Sequence, residues 1–254
     1  MYNYQYFKNS IPGWKRKKDP LIAQYIYRPL SFFVSAICAN AGINANSVSY
    51  FSAVIALISC VLIAINNNIA NIIGAILINI WLVLDCVDGN LARAVKKMPF
   101  GEFADGVSSY LLVAFLGISL GVNAYYNGGC IVSETNILCV VCGAFISIFD
   151  SLTRLIFQKY KVEEQKIIMG SAEYKIDDGG KKDPSVIVRI QEAMGIGGWL
   201  PALILFGIIF NFTDIILLYC FLFYGSFFLA GNARTILHVL KETNAQMNAE
   251  IRRK

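Results

Sequence analysis

Six long apolar runs dominate the chain, each bounded by polar or basic residues. They cover residues 47–66, 72–95, 101–124, 135–158, 196–212 and 214–240. Each approaches the ~20 residues a helix needs to cross a hydrocarbon core. Helix is the expected form, because in lipid every backbone N–H and C=O has to be satisfied within its own segment. The interruptions read as turns: Asn67-Asn68 and Ala70-Asn71 close the first run, and the Gly128-Gly129 loop separates the third from the fourth. The pattern predicts an all-α integral membrane protein with six transmembrane helices.

Ahead of the first run, residues 20–41 (PLIAQYIYRPLSFFVSAICANA) are apolar but broken by Gln24 and Arg28. The broken pattern predicts an amphipathic helix lying along the membrane surface, with a short seventh span as the competing assignment. Asn46 or Ser47 is placed to cap the helix that follows. The expected organisation is a single membrane domain over 1–254. It comprises an arm and interfacial helix in 1–46, a six-helix bundle in 47–240 and a tail in 241–254.

Composition supports the membrane assignment: 56% hydrophobic and 15% charged residues are too apolar for an ordinary soluble domain. The basic residues fix the expected orientation. All 22 Lys and Arg fall in the N-terminal arm, the 93–97 link, the 154–189 region and the 234–254 tail, or at adjoining helix ends. Loops 67–71, 125–134 and 212–214 contain none. This positive-inside asymmetry places both termini on the cytosolic face of the cell membrane, as an even number of spans also requires. The net charge of +5 therefore serves orientation, and no nucleic-acid motif accompanies it. Lys15 to Lys18 behind Trp14 read as an interfacial anchor rather than a signal peptide. Cys139 and Cys142 form a CxxC inside a span with no second pair, which reads as packing.

The candidate chemistry lies in WLVLDCVDGNLARAVKKMPFGEFADGVSS, residues 81–109. A carboxylate inside an apolar segment is costly and usually marks an ion or substrate site. Asp85 and Asp88 are three apart and share a helix face. Asp105 opens the next run, with Ser109 one turn on. If the two helices are antiparallel neighbours, all three acids converge near one membrane surface. Clustered acids repel unless a cation sits among them, and oxygen-only ligation suits Mg2+ or Mn2+ shared with a substrate phosphate. Gly89 allows close approach to the backbone, and Arg93 offers a forked donor to phosphate. The plainer alternative pairs the acids with Arg93, Lys96 and Lys97 at a helix end.

These residues resemble the signature of the CDP-alcohol phosphatidyltransferase family. Asp85, Asp88, Gly89, Ala92, Arg93, Gly101 and Asp105 match seven of its eight fixed positions at the family's spacing. At the eighth, where the family has a fourth Asp that ligates metal and acts as the presumed base, this chain has Ser109. Asn46 and Ser49 fall in a segment similar to the family's Pro-Asn-x-Val-Thr, with Ala45 for Pro and Ser49 for Thr. The resemblance implies that Asp85, Asp88 and Asp105 hold divalent metal against the donor pyrophosphate, with Gly89, Ala92, Arg93 and Gly101 framing the nucleotide. A nucleotide contact from Asn46 or Ser49 remains open beside the capping role. The implied reaction moves a phospho-alcohol group from a CDP-alcohol such as CDP-diacylglycerol to a small alcohol or alcohol-phosphate acceptor, releasing CMP. A homodimer in the lipid bilayer is also implied.

Ser109 keeps a second reading open, that of a non-catalytic homologue that binds a CDP-alcohol. Asp150 and Glu102 are the acids considered as substitutes for the missing base, and Arg154, Arg189 and Arg234 lie where an acceptor phosphate could bind. A cation transporter using the three acids would want them at the midplane and an inverted repeat, which is not visible. A polyprenyl-transferring enzyme would want more spans and a second Asp-rich motif. Asp177-Asp178-Gly179-Gly180 lacks the ligand spacing of a calcium loop.

Overall fold

The computed structural model describes residues 1–170 and 186–253, and these are helical nearly throughout. Two short helices, α1 (Tyr4–Ser10) and α2 (Gly13–Lys18), precede a π turn over Ala23–Tyr27 that runs directly into α3 (Arg28–Asn40). Then come α4 (Ala45–Ala64), α5 (Asn68–Ala94), α6 (Gly101–Asn127) and α7 (Ile137–Gly170). After α8 (Val186–Met194), α9 (Leu200–Ile209) leads to the long α10 (Thr213–Arg253). Asp177-Asp178-Gly179-Gly180 lies outside the described residues.

Five of these helices, α4, α5, α6, α7 and α10, are long and apolar enough to cross a membrane. The run 196–212 forms a shorter helix than its hydropathy suggested, because Gly195, Gly197 and Gly198 hold the chain in turns. Gly198 N–H bonds to Gly195 O, and Trp199 N–H reaches back to Ala193 O. Asn211, with φ 55°, ends it. At ten residues α9 spans about 15 Å. The start of α10 is nonetheless fixed beside the loop that precedes α7. Asp214 Oδ2 accepts from the N–H groups of Ile131 (2.6 Å) and Val132 (3.1 Å), and Gly129 lacks the Cβ that would collide with that carboxylate.

The hairpin expected between the two motif helices is instead a three-helix arrangement, since α5 packs chiefly on α4 while α6 packs on α4 and α7 and barely touches α5. Small polar residues on α4 make this close approach workable. Ser49 bonds to α5, Ser52 lies 2.7 Å from Ser108 of α6, and Gly74 of α5 sits against the Ser59 carbonyl. Such small-residue contacts are how helices pack where lipid removes the hydrophobic drive. The start of α4 is capped by Asn44, whose side chain accepts from Ser47 N–H at 2.9 Å, not by Asn46 or Ser47. Asn44 wins because the cap needs extended backbone, and the helix already begins at Ala45.

α7 packs on α6 through an even tighter seam. A Cβ on Gly117 would lie 2.6 Å from Gly143 O, and one on Gly121 2.5 Å from Cys139 O. A Cβ on Gly143 would strike the Gly117 carbonyl. Gly143→Val is therefore expected to destabilise the bundle by about 1–3 kcal/mol, as overpacking does. Thermal unfolding in detergent checks this, and an unchanged Tm would contradict the seam.

Candidate active site

The N-terminal segment is a wall of the site rather than a free arm. Phe7 is fully buried, Tyr6 donates its hydroxyl to Ala94 O (2.6 Å), and Asn40 and Tyr2 bond each other twice. On α3, Arg28, Ser31, Phe32 and Ser35 are buried, while Leu30, Phe33 and Ile37 are exposed. The helix thus buries its polar residues and presents apolar ones outward.

The buried polar side carries a network centred on two residues whose role the sequence did not reveal, Arg28 and Asn90. Arg28 grips Asp19 with a two-pronged contact, Nε to Oδ2 at 2.8 Å and Nη2 to Oδ1 at 3.2 Å. Asn90 Nδ2 donates to Ser31 Oγ (3.0 Å) and Ser35 Oγ (3.1 Å), and its Oδ1 accepts from Arg93 Nη2 (3.1 Å). An arginine inside an apolar run and an amide beside the motif glycine were the available signals. Nearby, Tyr27 donates to Asn79 Oδ1 at 2.7 Å, and Asn79 donates to Pro201 O at 3.1 Å. Burial pushes the Tyr27 phenol up to about 12, so it remains a donor at neutral pH.

On α5, Asp88 is buried and accepts from Ser49 Oγ at 2.6 Å. Asp85, one turn earlier, faces a cavity of about 400 Å³ whose lining includes Lys15, Arg28, Asp150, Arg154 and Tyr224. Asp105 is exposed on α6. The three acids lie close enough for their charges to interact, and Arg28, Lys15 and Arg93 act on Asp85 in the opposite sense. Among the described residues neither Asp85 nor Asp105 receives a hydrogen bond. Nor do any three His, Cys, Asp or Glu side chains there close into a group that could hold a metal ion by themselves.

The remaining motif positions have separate tasks. A Cβ on Gly89 would lie 2.9 Å from Arg93 Nη1, so the glycine makes room for the guanidinium folded over it. Ala92 packs at the edge of the smaller core cluster around Val87 and Leu91. Gly101 begins α6 behind Phe100, whose φ of 58° turns the link, and it faces Asn46 Oδ1. Asn46 Nδ2 donates to Pro99 O (2.8 Å) and ties that link to α4, while its Oδ1 is buried without a partner among the described residues.

Ser109 Oγ donates to Gly106 O of its own helix at 3.2 Å. The neighbouring Ser108 is the buried one, accepting from Trp81 Nε1 at 2.8 Å. Glu102 is exposed in the first turn of α6, and Cys139 is a buried free thiol.

The described residues thus combine five helices long and apolar enough to cross a membrane with paired acids on one helix, a third acid on another and an arginine folded over glycine. The profile of the CDP-alcohol phosphatidyltransferase family matches residues 43–222, and the chain belongs to that family. A search of curated proteins found no match.

Proposed function

We propose that the protein is a slow, metal-dependent transferase. It moves the phospho-alcohol group of a CDP-alcohol, such as CDP-diacylglycerol, to a small alcohol or alcohol-phosphate acceptor and releases CMP. Family membership supports the transfer; the observation that carries the rest is Asp85 facing a cavity it shares with Lys15, Arg28 and Arg154. The positive charges suit an anionic donor and acceptor, and the acid suits a cation between them.

The donor set fits a hard divalent ion. Asp85, Asp88 and Asp105 offer only oxygen, and two of them are without hydrogen bonds among the described residues. An unclosed ligand group leaves positions for water and a substrate phosphate, as Mg2+ prefers. Bound there, Mg2+ or Mn2+ would neutralise charge building on the leaving phosphate. Arg93, which bonds Asn90, is the forked donor assigned to the same phosphates. Asn46 Oδ1, buried beside Gly101 and without a partner among the described residues, is the side-chain acceptor best suited to a nucleotide amino or hydroxyl group.

We also assign six passages of the membrane, the fifth made by the whole 196–212 run because α9 alone covers only about half of the hydrocarbon core, with termini and site on the cytosolic face, a surface-lying α3 and a homodimer. A second reading, a binder without turnover, has its own support: the Ser109 hydroxyl is committed to Gly106 O, so that side chain offers no base. Restoring the acid separates the two. CMP release by the native protein supports the transferase, whereas release that starts only in Ser109→Asp, about 100-fold or more above the native level, supports the binder. An unchanged rate would show that position 109 no longer touches the reaction.

A further inference from the structure

We infer that Asp150 on α7 supplies the general base that position 109 lacks; this rests on the transferase reading above. Asp150 is buried, at 7% exposure. Its Oδ1 accepts from Arg154 Nε at 3.0 Å, while Oδ2 is buried with no hydrogen-bond partner among the described residues. Leaving a buried acceptor unpaired is unfavourable, and such a group in a native fold calls for an explanation. The location supplies one. Asp150 lines the same cavity as Asp85, and Oδ2, closed off by its neighbours here, would take the donor it lacks from an acceptor alcohol whose binding opens that wall.

One other feature favours this assignment. Arg154 occupies one carboxylate oxygen and so fixes the side chain with the other oxygen free, the arrangement of a positioned base. The competing residues lack these properties. Among the described residues that line the cavity, neither Ser109 nor Glu102 is present.

In the step, the acceptor O–H bond breaks and its proton passes to Asp150 Oδ2. The acceptor oxygen forms a bond to the phosphorus that carries the donor's alcohol. The bond from that phosphorus to the bridging oxygen breaks, and CMP leaves with the electron pair. Asp150 then returns its proton to water.

The plainer role for Asp150 is an ion pair that stiffens α7 through an i,i+4 contact with Arg154. A single experiment separates the roles. CMP release from CDP-diacylglycerol with Mg2+ and a panel of alcohol and alcohol-phosphate acceptors is followed in liposomes. The native protein, Asp150→Asn, Asp150→Glu, Ser109→Asp and the Ser109→Asp/Asp150→Asn pair are compared, with Mg2+-dependent CDP-diacylglycerol binding and Tm measured alongside. A catalytic Asp150 predicts that Asp150→Asn lowers kcat about 100- to 10,000-fold. Donor KM, donor binding and Tm should hold, Asp150→Glu should keep part of the rate, and Ser109→Asp should rescue Asp150→Asn.

Native kcat in Asp150→Asn overturns the assignment and leaves the transferase intact. So does a loss of donor binding and Tm that Ser109→Asp does not rescue, since that is the structural role. A native protein without turnover also overturns it, and if Ser109→Asp is then active the site itself is sound. Absence of Mg2+-dependent donor binding in every variant is the different result that removes the transferase reading.

Discussion

Replacing Arg28 with methionine is expected to destabilise the protein by about 3 kcal/mol, the lower end of what breaking a buried ion pair costs. Both side chains of the Arg28–Asp19 pair are almost completely buried, at 9% and 8% exposure. Methionine keeps much of the volume but removes both prongs held on Asp19. Lys15 Nζ stays 3.3 Å from Asp19 Oδ1 and offsets part of the loss, which places the value at the low end. The consequence is local as well as global. Asp19 and Arg28 join the segment before the π turn to α3, and Arg28 also reaches Asn90 Oδ1 at 3.4 Å. Arg28→Met should therefore lower Tm in detergent and make residues 1–20 sensitive to protease at a concentration that spares the native chain. Arg28→Lys should recover only part of both, because a point charge cannot make the two-pronged contact. Native-like Tm and protease resistance in Arg28→Met would show that the network contributes nothing to docking the arm.

Asp85→Asn is expected to lower CMP release by at least about 1,000-fold, of the order seen when a group that stabilises developing charge is removed. The amide has nearly the shape of the acid but no charge with which to hold a cation. Asp85 is the one motif acid that lines the cavity, so its loss should also abolish Mg2+-dependent binding of CDP-diacylglycerol. Asp88→Asn should differ in kind. Asp88 is buried and bonded to Ser49 Oγ, so its change should lower Tm as well as activity. Equal activity in Asp85→Asn and the native protein would remove Asp85 from the reaction.

The membrane architecture and the acid motif were legible because each depends on local order in the chain. Hydropathy over some twenty residues marks a span, and Asp85 and Asp88 share a face through helix periodicity alone. Contacts between distant segments left weaker traces. Arg28 looked like an interruption in an apolar run, since its partner Asn90 lies 62 residues on. The placing of α4 between α5 and α6 was likewise hidden; only the serines at 49 and 52 hinted at a face that must approach other helices closely. α9 is short because three glycines precede it, and a hydropathy window averages over them. Asn44 displaced Asn46 as the cap by a shift of two residues, the scale on which helix ends elude sequence patterns. Ser109 was recognised as a departure from the motif, but its bond to Gly106 O depends on a rotamer that sequence does not specify.

The measurement that bears most directly on the central claim is metal-dependent CMP release by the full-length protein in liposomes containing CDP-diacylglycerol, across a panel of acceptors. A metal-dependent transferase should show slow release that requires Mg2+ or Mn2+, stops with a chelator and is lost in Asp85→Asn. CDP-diacylglycerol that neither binds nor reacts in a metal-dependent way, in the native protein and in Ser109→Asp alike, would contradict it.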